Sequence, residues 1–332
     1  MQAHILGIDI GSVSIAAAEV TPHKDLVHAV YVIHGGDIGG GLHRLLAHFD
    51  LQRLGWIATT ASTPRVIKSH HTVDNRVALI DACRHFHGRV GSILLIGGEK
   101  FGLIRFDAHG NYRNFKANTS CAAGTGSFLD QQAQRLKLSG SAELSATACK
   151  NTGEAPKIAT RCAVFAKTDL VHAQQEGYSL AEICDGLCRG LARNVVDTLF
   201  GEAQPMTPLI FAGGVSKNKA VAAHLHKMIG IPLTVERAPY GAVGAALSLL
   251  AEPHHGQPLR LRTPDDLFLT PDTKRVYYFS PLTLQHSDYP QFTGLETYLH
   301  VPPGAETHNP VEVDSYTILA KGSVLSAYLG NT

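Results

Sequence analysis

One local pattern occurs twice in the chain and limits the folds that it can adopt. Residues 4–20 read HILGIDIGSVSIAAAEV, in which an apolar run ends at a short glycine turn and a second alternating run follows. Residues 92–107, SILLIGGEKFGLIRFD, repeat this pattern roughly 88 residues later. Each stretch predicts two strands joined by a tight turn. A repeat of this kind predicts two similar α/β lobes with a cleft between them.

The rest of the chain fits the same α/β reading. Residues 127–138 and 164–200 predict helices, and residues 231–236 predict a strand. Residues 239–252 predict a helix rich in small side chains, which suits close packing. Composition changes after Pro253, where prolines and strand-like pieces follow without a site-like motif. The predicted division is lobe I at 1–88 plus 239–252, lobe II at 89–238, and an extension or linker at 253–332.

Three glycine turns, at residues 9–12, 97–98 and 213–214, each close an apolar strand. Backbone amides in such turns form concavities that bind anions. Glycines with positive φ would explain any single turn without a ligand, but three turns of one kind favour a phosphate site. Neither GxxxxGK[ST] nor GxGxxG occurs, which excludes a P-loop and argues against a dinucleotide-binding Rossmann unit.

Charge and composition remove several classes of function. The formal net charge is +1 and the isoelectric point is about 7.8, so no global charge favours nucleic acid or an anionic membrane. No apolar run approaches the roughly 18 residues of a membrane span, and the N-terminus lacks the features of a signal peptide. We therefore expect a cytoplasmic protein. Its six cysteines include no CxxC pair and do not indicate a disulfide framework.

The order of six motifs identifies a resemblance to a known family. DIGS, IGGE, CAAGTGSFLD, RCAVFAKTD, AGGVSKN and YGAVGAALSL follow one another between residue 4 and about residue 250. This order resembles the activator ATPases of 2-hydroxyacyl-CoA dehydratases and the ATP-binding subunits of benzoyl-CoA reductase. These proteins belong to the acetate and sugar kinase/heat-shock chaperone/actin superfamily. The resemblance implies two ribonuclease-H-like, actin-type lobes around a nucleotide cleft, plus a C-terminal extension.

The resemblance also implies an iron–sulfur cluster. In the family the cysteines of CAAGTG and CxVFA, here Cys121 and Cys162, bind a [4Fe–4S] cluster that two subunits share. A cubane takes about four thiolates, and a symmetric dimer presents the same two cysteines twice. The expected activity is ATP-dependent transfer of a low-potential electron. The electron would pass from a ferredoxin- or flavodoxin-like donor to a dehydratase- or reductase-type iron–sulfur partner. The dimer is either a homodimer or a pseudo-dimer with a related domain.

The resemblance assigns the nucleotide residues to ATP or ADP with Mg²⁺. It implies that Asp9 positions Mg²⁺ through water. The family has Gln-Asp where Glu99 and Lys100 stand, so a catalytic role for Glu99 and neutralisation of phosphate charge by Lys100 are expectations from the chemistry of these two side chains. The remaining nucleotide-binding residues form the first and second turns, the adenosine side and the closing helix, and they are Gly11, Ser12, Gly97, Gly98, Gly213, Gly214, Asn218, Gly241 and Gly244.

Departures from the family at Ala16 and Leu95 leave alternatives open. The family has a polar residue where Ala16 stands and an aspartate where Leu95 stands, so ATP hydrolysis is in question here. One alternative is an ATPase-deficient repeat of a multidomain activase that keeps the cluster and dimer geometry. Another is a sugar-kinase-like phosphotransferase, which would leave Cys121 and Cys162 without a role.

Overall fold

The computed structural model describes residues 3–118, 125–160, 163–201, 205–252, 256–269, 298–300 and 311–313. The chain forms two compact units, Met1–Pro271 and Asp272–Thr332. Within the second unit, the described residues Tyr298–His300 and Val311–Val313 pair as two short antiparallel strands. Both of the repeated hairpins belong to the first unit.

A first five-stranded sheet is built from the N-terminal part of the chain. Its strands are β1 His4–Ile10, β2 Ser14–Val20, β3 Leu26–Ile33, β4 Leu54–Thr60 and β5 His71–Val73. The spatial order is β3-β2-β1-β4-β5. The first three strands form an antiparallel meander, and β4 and β5 add in parallel on the other side of β1. The central strands are buried on both faces, which explains their nearly continuous apolar sequence.

A second five-stranded sheet repeats this topology. Its strands are β6 Ser92–Ile96, β7 Phe101–Phe106, β8 Tyr112–Ala117, β9 Leu209–Ala212 and β10 Leu233–Val235. The order β8-β7-β6-β9-β10 again joins an antiparallel meander to two parallel strands. The internal repeat predicted from two glycine-turn hairpins is thereby confirmed at the level of whole sheets.

The described helices lie between and outside the sheets. They are α1 Ile38–Leu46, α2 Asn75–His87, α3 Gly126–Arg135, α4 Ser141–Ala148, α5 Ala163–Gln175, α6 Leu180–Leu199, α7 Lys219–Ile229 and α8 Tyr240–Ala251. The single helix predicted over 164–200 is two helices. Gly177, at φ 86°, ends the first, and a capping box between Ser179 and Glu182 begins the second. No described helix combines the length and the apolar character that crossing a bilayer requires.

Helices α2 and α8 share one buried cluster with residues of both sheets. Two glycines allow α8 to approach its neighbours closely. A Cβ on Gly7 of β1 would overlap the carbonyl oxygen of Ala242, and a Cβ on Gly244 would overlap that of Ala78 in α2. The small residues predicted for this helix are therefore explained by backbone-to-backbone packing.

The outer faces of the sheets are covered by separate sets of elements. Helices α3, α4, α6 and α7 pack on the second sheet. Helix α1 covers the first sheet together with Leu261 and Leu267, which are buried. The backbone N–H of Leu259 also donates to the carbonyl of Gly55 in β4, at 2.8 Å. Residues 256–269, assigned from sequence to the extension, thus pack on the first sheet.

Candidate functional site

Asp9 lies near the carboxyl end of β1, beside the end of the parallel strand β4. The hydroxyl of Thr60 donates to Oδ1 of Asp9 at 2.6 Å, and the hydroxyl of Ser62 donates to the same oxygen at 3.0 Å. Among the described residues no ion pair involves Asp9. Two neutral donors therefore orient the carboxylate, and within the described part of the chain no cationic side chain forms an ion pair with it.

The first two glycine turns close in the same way. The N–H of Gly11 donates to the carbonyl of Ser14 at 2.9 Å, and the N–H of Gly97 donates to the carbonyl of Lys100 at 2.8 Å. Each turn leaves two residues at its tip, Ser12 and Val13 in the first and Gly98 and Glu99 in the second. The two hairpins are thus structural equivalents, as their sequences predict.

The tips of these two turns are in contact. A Cβ on Gly98 would lie 2.6 Å from Cγ2 of Val13, so only glycine fits there without a shift. Both Glu99 and Lys100 are exposed at this tip. The two turns predicted to bind phosphate therefore face one another from different sheets.

The second turn is also bonded to the start of helix α3. The N–H of Gly126 donates to the carbonyl of Gly97 at 2.9 Å, and the N–H of Ser127 donates to the carbonyl of Gly98 at 2.8 Å. Two of the N–H groups that a helix start normally leaves unpaired are satisfied in this way. Gly126 is the last residue of the motif CAAGTG, whose residues 121–124 lie outside the described part of the chain. The end of the cysteine motif is therefore anchored on a glycine turn.

The third turn follows β9 and sits beside the end of β6. Gly213 has a φ of 92°, a conformation that favours glycine. A Cβ there would overlap the carbonyl oxygen of Ile96, so the third turn abuts the strand that leads into the second. The N–H of Gly213 donates to Oε1 of Glu236 at 3.0 Å. Close approach and a carboxylate acceptor together fix this turn.

Asn218, predicted to lie near the adenosine, has a clear local role. Its Oδ1 accepts the N–H of Val221 at 2.9 Å and so caps the start of α7. The side chain is buried and lies 3.8 Å from the sulfur of Cys188. The nucleotide contact of Asn218 stays a prediction, while its capping bond accounts for an asparagine at this position.

The start of helix α8 lies against Asp9. A Cβ on Gly241, the second residue of the helix, would overlap Oδ2 of Asp9. Gly241 thus belongs to the same site as the first turn. Gly244, grouped with it from sequence, instead packs against α2 through Ala78.

A row of cross-strand neighbours extends the face that carries Asp9. Asp9 pairs directly with Ala16 on β2, and Ala16 pairs with Tyr31 on β3, so the three side chains point to one side of the sheet. The ring of Tyr31 reaches the second sheet's third turn, where Nζ of Lys217 lies 4.6 Å from the ring centroid. A Cβ on Gly214 would lie 3.3 Å from the hydroxyl of Tyr31.

Two apolar residues, Ala16 and Leu95, occupy positions where the sequence resemblance leads us to expect polar residues. Ala16 is 5% exposed and lies directly opposite Asp9. Leu95 is only partly buried and packs with the cluster around α2 and α8. Its Cδ1 lies 3.0 Å from the position of a Cβ on Gly213. A carboxylate at either place would face the same region as Asp9 and the third turn.

The cysteines divide by their surroundings. Burial raises the pKa of the Cys83 and Cys188 thiols far above the ordinary range and that of Cys184 to about 11. Cys149 is exposed at the end of α4. Cys121 and Cys162 lie outside the described residues. Within the part that is described, no group of three or more His, Cys, Asp and Glu residues could hold a metal ion.

Several residues of the site were missed from sequence. Thr60 and Ser62 carry hydroxyls at the end of β4 and just after it, which is a weak signal. The alternation of β3 shows that Tyr31 faces the site only once the pairing of β3 with β2 is known. Glu236, the last residue of the predicted strand 231–236, carried no motif at all.

Duplicated sheets of this topology, with glycine turns facing each other between them, define the actin-like ATPase fold. The profile of the BadF/BadG/BcrA/BcrD ATPase family matches residues 56–248, more than half of the chain. The chain therefore belongs to the BadF/BadG/BcrA/BcrD ATPase family.

Individual relatives agree with that family. The chain is 28% identical over 260 residues to the (R)-2-hydroxyglutaryl-CoA dehydratase activating ATPase of Acidaminococcus fermentans, and the match covers 74% of this chain and 97% of the relative. It is 30% identical over 256 residues to the activator of lactoyl-CoA dehydratase of Anaerotignum propionicum, covering 74% and 96%. Each alignment leaves about a quarter of this chain without a counterpart.

A solved structure shows the same fold. The activator of the 2-hydroxyisocaproyl-CoA dehydratase from Clostridium difficile, solved with bound ADPNP, superposes with a TM-score of 0.66 at 23% identity. The superposition covers 75% of this chain and 94% of that protein.

Proposed function

We propose that this protein is an ATP-dependent activator of an enzyme that acts on CoA esters, of the dehydratase or reductase type. Its relatives from Acidaminococcus fermentans and Anaerotignum propionicum are activators of 2-hydroxyglutaryl-CoA and lactoyl-CoA dehydratases. A further relative, 27% identical over 164 residues, is one of the subunits of the benzoyl-CoA reductase of Thauera aromatica. These names support a partner enzyme and leave its particular acyl-CoA open.

The proposed nucleotide site lies where the three turns and the start of α8 converge. Gly11, Ser12, Gly97 and Gly98 would bind the phosphates through backbone amides. Asp9 would hold Mg²⁺ through water, a role supported by its hydroxyl partners and the lack of a cationic neighbour among the described residues. Lys100 and Glu99, exposed at the tip of the second turn, are placed to meet phosphate and metal charge.

Within this proposal, Gly213 and Gly214 face the adenosine side and Gly241 closes the site against Asp9. Asn218 begins α7 through its capping bond, and we place it near the adenosine.

Cys121 and Cys162 would hold a [4Fe–4S] cluster together with the same two cysteines of a second subunit. Bound there, the cluster would supply a low-potential electron. Burial raises the pKa values of Cys83, Cys184 and Cys188 and disfavours their thiolates, so these three cysteines are poor ligands for a cluster. Cys162 directly precedes the first residue of α5, and the CAAGTG motif ends at the first residue of α3. Helix N-termini carry partial positive charge, which favours thiolates and an anionic cluster.

The observation that carries the proposal is the pair of hydrogen bonds between the second glycine turn and the start of α3. A nucleotide that moves this turn would move the first residues of α3, and with them the end of the cysteine motif. The chain would thus transmit the nucleotide state to the cluster. An electron donor of the ferredoxin or flavodoxin type would reload the cluster, and the partner enzyme would accept its electron.

Iron counting after anaerobic purification tests this proposal. We expect about four irons per dimer for the wild type, since one cubane takes four thiolates. Cys121→Ser should lose most of this iron, whereas the matched variant Cys149→Ser should keep it. Full iron content in Cys121→Ser, or none in the wild type, would contradict the cluster assignment.

A second candidate function, an ATPase-deficient repeat of a multidomain activase, is favoured by Leu95 and Ala16. Leu95 places a methyl group beside the third turn, where the resembling family has a carboxylate. ATP turnover of the wild type and of Leu95→Asp separates the two candidates. Negligible turnover that rises in Leu95→Asp supports the deficient repeat, and turnover by the unmodified chain at a rate typical of these activators excludes it.

A further inference from the structure

Glu236 is a half-buried acidic residue for which the proposed function gives no role. It follows β10, and its backbone N–H donates to the carbonyl of Phe211 in β9 at 3.0 Å. This pairing places its side chain at the edge of the second sheet, next to the third turn. Oε1 accepts the N–H of Gly213 at 3.0 Å and is approached by the hydroxyl of Ser216 at 3.4 Å. The carboxyl group thus bonds to Gly213 of the third turn and to Ser216, which lies just after that turn.

The same side chain also faces the start of helix α8. The backbone N–H of Tyr240, the first residue of that helix, is close enough to lower the pKa of Glu236. The next residue, Gly241, lies against Asp9. Glu236 is therefore bonded to the third turn on the second sheet and lies beside the helix that contacts the carboxylate of Asp9.

A second connection runs through Lys217. Its charge is close enough to lower the pKa of Glu236, and its ammonium lies over the ring of Tyr31 on the first sheet. Tyr31 in turn shares a face with Asp9 through Ala16. Both connections lead from Glu236 back to the carboxylate at the phosphate side.

We propose that Glu236 is a positioning residue that holds the third glycine turn in place beside the start of α8 and thereby aligns the two sides of the nucleotide site. This inference rests on the proposed nucleotide site. Glu236 has no assigned contact with the nucleotide itself and acts through its bonds to Gly213 and Ser216.

Partial burial of the Glu236 carboxyl group disfavours its charged form. Desolvation raises the pKa of Glu236 to about 7, although four neighbouring groups act in the opposite direction. An apolar side chain at this position would cover the end of β10 without the cost of desolvating a carboxylate. Packing alone therefore does not require a carboxyl group. The bonds to Gly213 and Ser216 are what a carboxyl or amide oxygen adds.

Binding of ADP to the full chain, followed by displacement of a fluorescent ADP analogue, tests the proposal. Glu236→Leu should raise the dissociation constant for ADP at least about tenfold, because it removes the acceptor of the Gly213 N–H and of the Ser216 hydroxyl. Glu236→Gln keeps an acceptor oxygen at the same reach and should stay within about threefold of the wild type. Rescue by the amide distinguishes positioning through hydrogen bonds from simple filling of space.

Asp185 supplies the matched control. It is a partly buried carboxyl on α6 that accepts from His224 at 2.7 Å and from Asn151 at 3.0 Å, with no contact to the glycine turns among its described bonds. Asp185→Leu should leave ADP affinity unchanged. A folded Glu236→Leu that binds ADP within about twofold of the wild type would overturn the proposal.

If Glu236→Leu fails to fold, Glu236→Asp decides the question. It keeps the charge but shortens the side chain by one carbon, so that the oxygen no longer reaches Gly213. We expect weaker ADP binding, and wild-type affinity would overturn the inference. A wild type that binds no ADP would instead refute the proposed nucleotide site, so the two failures can be told apart.

Discussion

Gly241 offers a sharp test of the contact between α8 and Asp9. Alanine there would place a methyl group on Oδ2 of Asp9, and that carboxylate is held on its other oxygen by Thr60 and Ser62. It cannot rotate away without losing these bonds, which contribute about 1 kcal/mol each. Overpacking of a fixed site typically costs about 1–3 kcal/mol.

Gly39 is the natural control for this substitution. It is the second residue of α1, as Gly241 is of α8, and the nearest atom to a Cβ there is Oδ1 of Asp37 at 3.9 Å. Alanine gains up to about 1 kcal/mol of helix propensity over glycine at both positions. This gain is the same in both variants. The difference between their free energies of unfolding therefore reports the overlap with Asp9.

We therefore expect Gly241→Ala to be less stable than Gly39→Ala by about 1–3 kcal/mol in equilibrium urea unfolding. The affinity for ADP with Mg²⁺ should fall in Gly241→Ala and remain unchanged in Gly39→Ala. Equal stability and equal affinity of the two variants would refute the placement of α8 against Asp9.

Two further predictions concern the side chains of Glu236 and Ser179. Folding raises the pKa of Glu236 to about 7, so its contribution to stability is present below the ordinary pKa of glutamic acid and is lost as pH rises through 7. Glu236→Gln should thus gain stability relative to the wild type between pH 5 and 8, by at most about 3 kcal/mol in urea unfolding, and a pH-independent difference would contradict this. Ser179→Ala removes the capping box of α6 and should lower the free energy of unfolding by about 1 kcal/mol, whereas no loss would show that α6 does not depend on its cap.

The fold could be predicted largely because its signals are local. Strand alternation and the glycine turns at Gly11 and Gly97 lie within a few residues of each other, so the sequence shows each hairpin directly. The break between α5 and α6 was missed because apolar periodicity continues across it. Gly177 followed by the Ser179–Glu182 box was the signal that could have found it.

The site was predicted only in part, because its contacts join distant segments. Thr60 bonds to Asp9 across two parallel strands, and Glu236 reaches Gly213 only through the register of β10 against β9. Such register cannot be read from the spacing of residues. The packing of residues 256–269 on the first sheet could not be predicted either. The proline-rich composition of a segment does not indicate which distant part of the chain it contacts.

We propose that the bound nucleotide sets the position of the second glycine turn and, through the start of α3, the surroundings of the cluster. Electron paramagnetic resonance of the reduced, anaerobically purified protein measures this directly when ADP is compared with a non-hydrolysable ATP analogue. We expect the signal of a [4Fe–4S] cluster whose g values differ between the two nucleotides. Identical spectra from samples saturated with each nucleotide would contradict the coupling.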